Sequence, residues 1–335
     1  MCSLGHPVGL IALCAVASSR SLTAAAGPVR VAGRIRAAPR RLAPVVYFAV
    51  FFTYVALEGV PLSRDMLLLW VAGALLAFSI TDPRRFTRGL LLDWVPFAAI
   101  LFLYDLLRGY ADGLLAPAHE LPQLQADQWL FSGTVPTVWL QEHLWHGVGD
   151  LRWYDYATWG VYVTHFLATP LLAAALWIVA SPRFRQFVAM VVVLAVAGFA
   201  TYALFPAVPP WLASMHGTLS PTGRVVPEVW ATVHWANVDA LFESGSRYAN
   251  DVAAMPSLHA AYSLLVVIFA WSLVPARARW LRVPLAAYPF AMAFALIYGA
   301  EHYVVDIVAG WVYAIAAYAL VTAVARRLAQ SGSSA

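Results

Sequence analysis

Eight apolar runs, interrupted by short polar breaks and two longer ones, leave this 335-residue chain few architectures to fold into. They cover about residues 43–60, 67–80, 90–107, 156–178, 187–205, 258–274, 283–300 and 304–324. A helix rising ~1.5 Å per residue needs about 20 residues to cross ~30 Å of hydrocarbon, so runs of about this length are read as membrane spans. The run at 67–80 is the shortest of them. Charged residues make up only 11% of the chain and hydrophobic ones 62%, against roughly 25% charged in an average soluble domain. A soluble globular enzyme of this size is therefore excluded. The expectation is an all-α integral membrane protein with about eight transmembrane helices, and no Ser/Gly/Pro-rich linker divides it.

The net charge is +4, and all 21 basic side chains are arginine; there is no lysine. Chemistry that needs a Schiff-base or phosphate-binding lysine is excluded with it. The arginines sit in small clusters between apolar runs, a pattern that membrane topology explains better than nucleic acid does. Short cytoplasmic loops carry excess Arg. With eight spans, Arg30, Arg34, Arg36, Arg40, Arg41, Arg84, Arg85, Arg88, Arg183, Arg185, Arg277, Arg279, Arg282, Arg326 and Arg327 all fall on one side. Arg20 is placed with them, while Arg64, Arg108, Arg152, Arg224 and Arg247 fall on the other. Both termini are predicted cytoplasmic, in a multi-pass protein of the plasma membrane. Residues 1–42 form a basic cytoplasmic segment, within which 1–26 stay unassigned, and 43–89 hold two additional spans. Cys2 and Cys14 have no matching histidine or second pair to complete a metal site.

The segments 108–155 and 206–256 then become extracytoplasmic. They are rich in Trp, His, Asp and Pro, and a helix around 135–145 is expected to lie along the membrane surface and help wall off a site. Eight of the nine histidines, all except His6, belong to these segments or to helices reached from that side.

Two places stand out because an outer loop there becomes a membrane helix. The first is Asn250-Asp251-Val252-Ala253-Ala254-Met255-Pro256-Ser257-Leu258-His259. Proline suits a first helical turn and Ser257 can cap it, so exposed N–H groups and the positive helix end would face an anion. Alternatively, Ser257 is only a cap and His259 a satisfied polar residue. The second is His302-Tyr303-Val304-Val305-Asp306. Positions i and i+4 share a helix face, so Asp306 can hold one nitrogen of His302 and leave the other free to attack or take a proton. An ionisable pair in an apolar helix is functional by default. His165 lies several residues into the fourth run, where it either orients an acceptor headgroup or bonds between helices; Asp155 at that helix's outer end raises the same question.

Pro256-Ser257-Leu258-His259 resembles the Pro-Ser-Gly-His motif of the type 2 phosphatidic acid phosphatase superfamily, with leucine in place of glycine. His302 to Asp306 resembles its final His-x-x-x-Asp motif. Phe205-Pro206-Ala207-Val208-Pro209-Pro210-Trp211 looks like the proline-rich signature of its inositol phosphorylceramide synthase-like branch, as do residues 104–108 and 153–166. The resemblance marks 90–325 as a helical catalytic domain of that superfamily, with 326–335 a cytoplasmic tail. Two departures stand against it. The superfamily's first motif needs a lysine, and its Ser-Arg before the final histidine is here Ala295-Leu296. Phosphate charge must then be met by outer arginines, with Arg108 (beside Asp105), Arg224 and Arg247 as candidates alongside the N–H groups around Ser257.

The resemblance implies that His302, oriented by Asp306, attacks a lipid phosphoryl group to give a phosphohistidine, while His259 serves as acid and then base. The active site is expected at the extracytoplasmic face, with no metal or other cofactor. Phospholipid and lipid alcohol are the expected substrates, with transfer of a phosphoinositol-like headgroup between them. Hydrolysis by a lipid-phosphate phosphatase is the alternative; a transporter or scaffold would leave the two histidine motifs without a purpose.

Overall fold

The computed structural model describes residues 29–59, 61, 64–110, 117–179, 182–233 and 250–332. Residues 1–26, with Arg20 and both cysteines, lie outside that set, as does Arg247. The helices are α1 (Val29–Glu58), α2 (Arg64–Phe78), α3 (Pro83–Gly89), α4 (Val95–Tyr110), α5 (Leu121–Leu130), α6 (Pro136–Leu144) and α7 (Trp153–Ile178). They continue with α8 (Arg183–Leu204), α9 (Pro210–Met215), α10 (Val225–Thr232), α11 (Leu258–Trp271), α12 (Arg282–Tyr298) and α13 (Val304–Gly332). One π turn, Leu90–Trp94, joins α3 to α4.

Among the described residues, five stretches are long and apolar enough to cross a membrane: Pro83–Tyr104, Trp153–Ile178, Arg183–Leu204, Ala276–Tyr298 and Val304–Ser331. Three shorter apolar helices, Leu42–Glu58, Met66–Phe78 and Leu258–Trp271, fall on the remaining apolar runs. Helix and run do not share boundaries. The third run begins at 90, yet the helix begins at Pro83, because Asp82 accepts the Arg85 N–H at 3.0 Å and proline fits the first turn. Apolarity marks where lipid is met; capping marks where a helix starts.

α8 is the central packing element. Its Phe187, Met190 and Leu194 are buried against Leu265 and Phe269 of α11, Leu176 and Trp177 of α7, and Ala314 and Ala317 of α13. The outward faces are apolar too: Leu171, Val196, Phe290, Val312, Ile315 and Leu320 are exposed. Such a continuous surface is anomalous in water and natural against lipid.

The two ends of the bundle differ. At one, arginine side chains close the helix termini. Arg85 donates to the Trp177 and Ile178 carbonyls at 3.0 Å and stacks 5.0 Å over the Trp177 ring. Arg185 pairs with Asp93, and Arg183 donates to Ser272. Arg282 lies 5.3 Å over Trp271. Clusters far apart in sequence thus meet at one end.

At the other end lie the short helices α5, α6, α9 and α10, and both motif junctions. The only β pairing among the described residues is found here, as two isolated parallel bridges that join His119, Ala207 and Ala253. Ala207 donates to Val252 O at 2.6 Å, Ala254 donates to Ala207 O at 3.2 Å, and Val208 donates to His119 O at 2.9 Å. This stitch holds the strand-like entry to α11. The proline-rich run continues into α9, with Pro209 as N-cap and Pro210 in its first turn, and Trp211 N–H grips Ala300 O at 3.0 Å. The signature therefore braces both loops that carry the motif histidines.

Candidate active site

His302 stands in the tight connection between α12 and α13, not within a helix. α12 ends at Tyr298, Ala300 takes a positive φ of 61°, and the Glu301 and His302 N–H groups both return to Leu296 O at 2.9 and 3.2 Å. α13 then starts at Val304. The i,i+4 spacing still brings Asp306 to His302, but through a first-turn contact and not along a continuous helix face. His302 Nδ1 lies 3.6 Å from Asp306 Oδ2, a charge contact just longer than a hydrogen bond. The same Oδ2 accepts the Tyr303 N–H at 2.9 Å, and Asp306 is fully buried. This anchors the carboxylate behind the imidazole and turns Nε2 outward.

Nε2 meets the other motif. His259, in the first turn of α11, brings its Nδ1 to 3.4 Å from His302 Nε2. The α11 junction is locked to α13 by backbone: Ser257 N–H donates to the Asp306 carbonyl at 2.9 Å. Ser257 Oγ caps α11 by accepting the Ala260 N–H at 3.3 Å. Both the amide and the hydroxyl of Ser257 are thus engaged inside the protein, and Ser257 is fully buried.

On its other side His259 faces α7. The Tyr162 ring stacks on it with centroids 5.0 Å apart, and the His165 ring stands 4.3 Å away. Asp155 plays an architectural part: it accepts the Arg152 N–H at 2.6 Å and the Tyr298 hydroxyl at 2.5 Å, joining the start of α7 to the end of α12.

Arg224 lies close to the His302 loop. Its guanidinium makes a forked pair with Glu301, at 3.0 to 3.1 Å, and lies 4.2 Å over the Trp211 ring. Its side chain remains 38% exposed. Gln141 fixes the loop before it, donating to the Gly223 and Tyr298 carbonyls and accepting the Gly223 N–H. Arg108 and Asp105 belong to α4, but their side chains fall outside the described part, and Arg247 lies outside entirely. Leu296, at the position where the resembled motif would place an arginine, is fully buried in an apolar cluster with Ala260, Met292 and Ile307.

Asp127 of α5 is the supporting residue that sequence spacing does not reveal. Its two carboxylate oxygens accept the Val304 and Val305 N–H groups at 3.0 and 3.1 Å, capping α13 immediately before Asp306. Burial pushes its carboxyl up to about 6, against the two hydrogen bonds that pull it down. Asp127→Ala leaves two half-buried donors unmet and should destabilise the protein by about 1–3 kcal/mol. The sign of the pH effect follows from linkage. The folded state holds this proton more tightly than the unfolded chain, so stability from Asp127 is greatest below about pH 4 and is lost as pH rises through about 6. Thermal unfolding in detergent should therefore show a flatter dependence between those pH values for Asp127→Asn; an unchanged slope would count against the assignment.

A family model described as PAP2 superfamily matches residues 129–320. The phosphoinositol dihydroceramide synthase of Bacteroides thetaiotaomicron is 26% identical over 241 residues, 67% of this chain and 74% of that protein. No solved structure gives a significant match.

Proposed function

The chain belongs to the PAP2 superfamily and is a membrane enzyme acting as a phosphotransferase or phosphatase; we propose that it moves a phosphoinositol-like headgroup from a phospholipid to a lipid alcohol through a phosphohistidine on His302. The observation that carries this reading is the 3.4 Å meeting of His302 Nε2 and His259 Nδ1, with Asp306 behind His302. Similarity to a synthase whose printed name specifies phosphoinositol and dihydroceramide supports transfer over hydrolysis.

When substrate binds, the 3.6 Å contact between His302 Nδ1 and Asp306 tightens to a hydrogen bond, which holds the Nδ1–H tautomer and leaves the Nε2 lone pair toward His259. Nε2 bonds to phosphorus while the phosphorus–oxygen bond to the donor's alcohol breaks, and protonated His259 gives its proton to that oxygen. The gap between the rings is too narrow for a phosphoryl group, so the His259 ring turns aside as the headgroup enters. Arg224, Arg108, Arg247 and the junction at Ser257 are the candidates for meeting phosphoryl charge. Arg224 would have to exchange part of its pair with Glu301 for phosphoryl oxygens, a fork-for-fork substitution that guanidinium geometry allows.

Topology belongs to the same proposal. The arginine-closed end faces the cytoplasm, with both termini, and the histidine end faces outward across the plasma membrane. The two parts need separate tests. Purified protein in mixed micelles receives phosphatidylinositol labelled in its headgroup, with dihydroceramide. A labelled lipid product is expected, and label released only as a water-soluble phosphate ester would replace transfer with hydrolysis. For orientation, Ser220→Cys, near Arg224, in a chain with Cys2 and Cys14 changed to serine should react in intact cells with a membrane-impermeant thiol reagent; reaction only after the cells are opened would reverse the orientation.

A further inference from the structure

We infer that the acceptor alcohol binds on the α7 side of His259, in a subsite formed by Tyr162, His165 and Phe166 of α7 with His259 and Tyr262 of α11; this rests on the transfer reading above. The two sides of His259 differ. Toward α13 it meets His302, only 5% exposed, backed by the fully buried Asp306. That side is closed by protein and suits the phosphoryl group. Toward α7 the surroundings are rings: Tyr162 stacked at 5.0 Å, His165 at 4.3 Å, and Phe166 edge-on at 6.4 Å. Tyr262 completes the wall, 5.8 Å from His165.

Positions 162, 165 and 166 share one face of α7 by i, i+3, i+4 spacing. All three lie inside the span Trp153–Ile178, and Phe166 is 37% exposed there. The wall thus runs from the reacting histidine to a surface at membrane depth. A water-soluble acceptor has no reason to meet such a surface. A long-chain alcohol does: its carbons can lie along the Phe166 and Tyr162 rings while its hydroxyl reaches the two imidazoles.

In the second half-reaction the hydroxyl is held by His165 and by neutral His259. Its oxygen bonds to phosphorus as the phosphorus–Nε2 bond of His302 breaks, and its proton passes to His259. The proton that His259 gave to the first alcohol is thereby regained, and no further reactant is needed. His165 acts as a binding group for the acceptor and takes no proton in the balance.

The test compares wild type, His165→Ala and His165→Gln in mixed micelles, using headgroup-labelled phosphatidylinositol and dihydroceramide. Diacylglycerol release reports donor cleavage, while labelled lipid and labelled soluble ester report the fate of the headgroup. In His165→Ala, KM for dihydroceramide should rise at least tenfold, and transfer should fall at least tenfold further than donor cleavage does. His165→Gln, which keeps a hydrogen-bonding side chain, should recover part of both. Equal losses of cleavage and transfer in both variants, with acceptor KM unmoved, would overturn the subsite. A wild type that yields soluble ester alone would instead sink the transfer reading, and the subsite with it.

Discussion

His302→Ala should abolish headgroup turnover, by roughly ten-thousand-fold or more, while the protein remains folded in detergent. The expectation follows from chemistry that no neighbour can replace: without Nε2 there is no atom to accept the phosphoryl group, and the second imidazole then has no intermediate to resolve. Asp306→Asn keeps the shape of the site but no longer enforces the Nδ1–H tautomer, and should cost about a thousandfold. The double variant should be no worse than His302→Ala, because the two residues act as one unit. His259→Ala separates from both. It should still form an acid-labile phosphoenzyme, and it should lose least with a donor whose leaving alcohol is acidic enough to depart without a proton. Brief mixing with phosphorus-labelled donor, quenched under basic conditions that preserve phosphohistidine, reads all four. A folded His302→Ala protein with more than about one hundredth of wild-type turnover would remove the nucleophile assignment.

The second large effect comes from a residue with no chemistry. A methyl group at Gly310 would stand 2.2 Å from the Ser257 carbonyl oxygen, 3.2 Å from its carbon and 3.4 Å from the Ala261 nitrogen. These are backbone atoms at the N-terminus of α11, so nothing can rotate away. Gly310→Ala must push α13 from α11 and strain the Ser257–Asp306 backbone bond that registers the two motifs. Overpacking of this kind costs about 1–3 kcal/mol, and a misplacement near 1 Å at reacting atoms costs on the order of a hundredfold in rate. Gly160→Ala on α7 is the control: its added methyl meets nothing within 4 Å, and stability should hold or improve. If Gly310→Ala matched Gly160→Ala in melting temperature and turnover, the close crossing of α11 and α13 would be wrong.

Much of this was legible from residue order. Apolar runs located the membrane helices because contact with lipid is a property of each segment alone; it needs no knowledge of what the segment packs against. The helix expected around 135–145 is present as α6, Pro136–Leu144. His302 and Asp306 could be paired on paper because four residues bring them together under almost any helical start. The exact helix starts were less legible. Asp82 and Pro83 begin a helix seven residues before its apolar run, and the π turn at Leu90–Trp94 leaves no mark in hydropathy.

The supporting residues were illegible for a different reason. Asp127 is one acid in a polar segment, and only the docking of α5 against α13 makes it a cap 177 residues away. Glu301 reads as a loop acid until the Arg224 side chain, 77 residues earlier, closes on it over Trp211. Gly310 reads as a weak point in an apolar helix until α11 crosses it.

The sequence by itself determined a helical membrane protein without lysine, carrying two histidine motifs at loop-to-helix junctions and an arginine excess on one side of its spans. Those are one-segment properties, set by hydrocarbon thickness, helical pitch and residue type. Only the tertiary structure decided that His259 and His302, 43 residues apart, meet nitrogen to nitrogen, and that Ser257 spends its N–H on Asp306. It also decided that His165 stands on the far side of His259. Such pairings depend on how closely two helices cross, and that distance is set by which side chain is missing at the crossing.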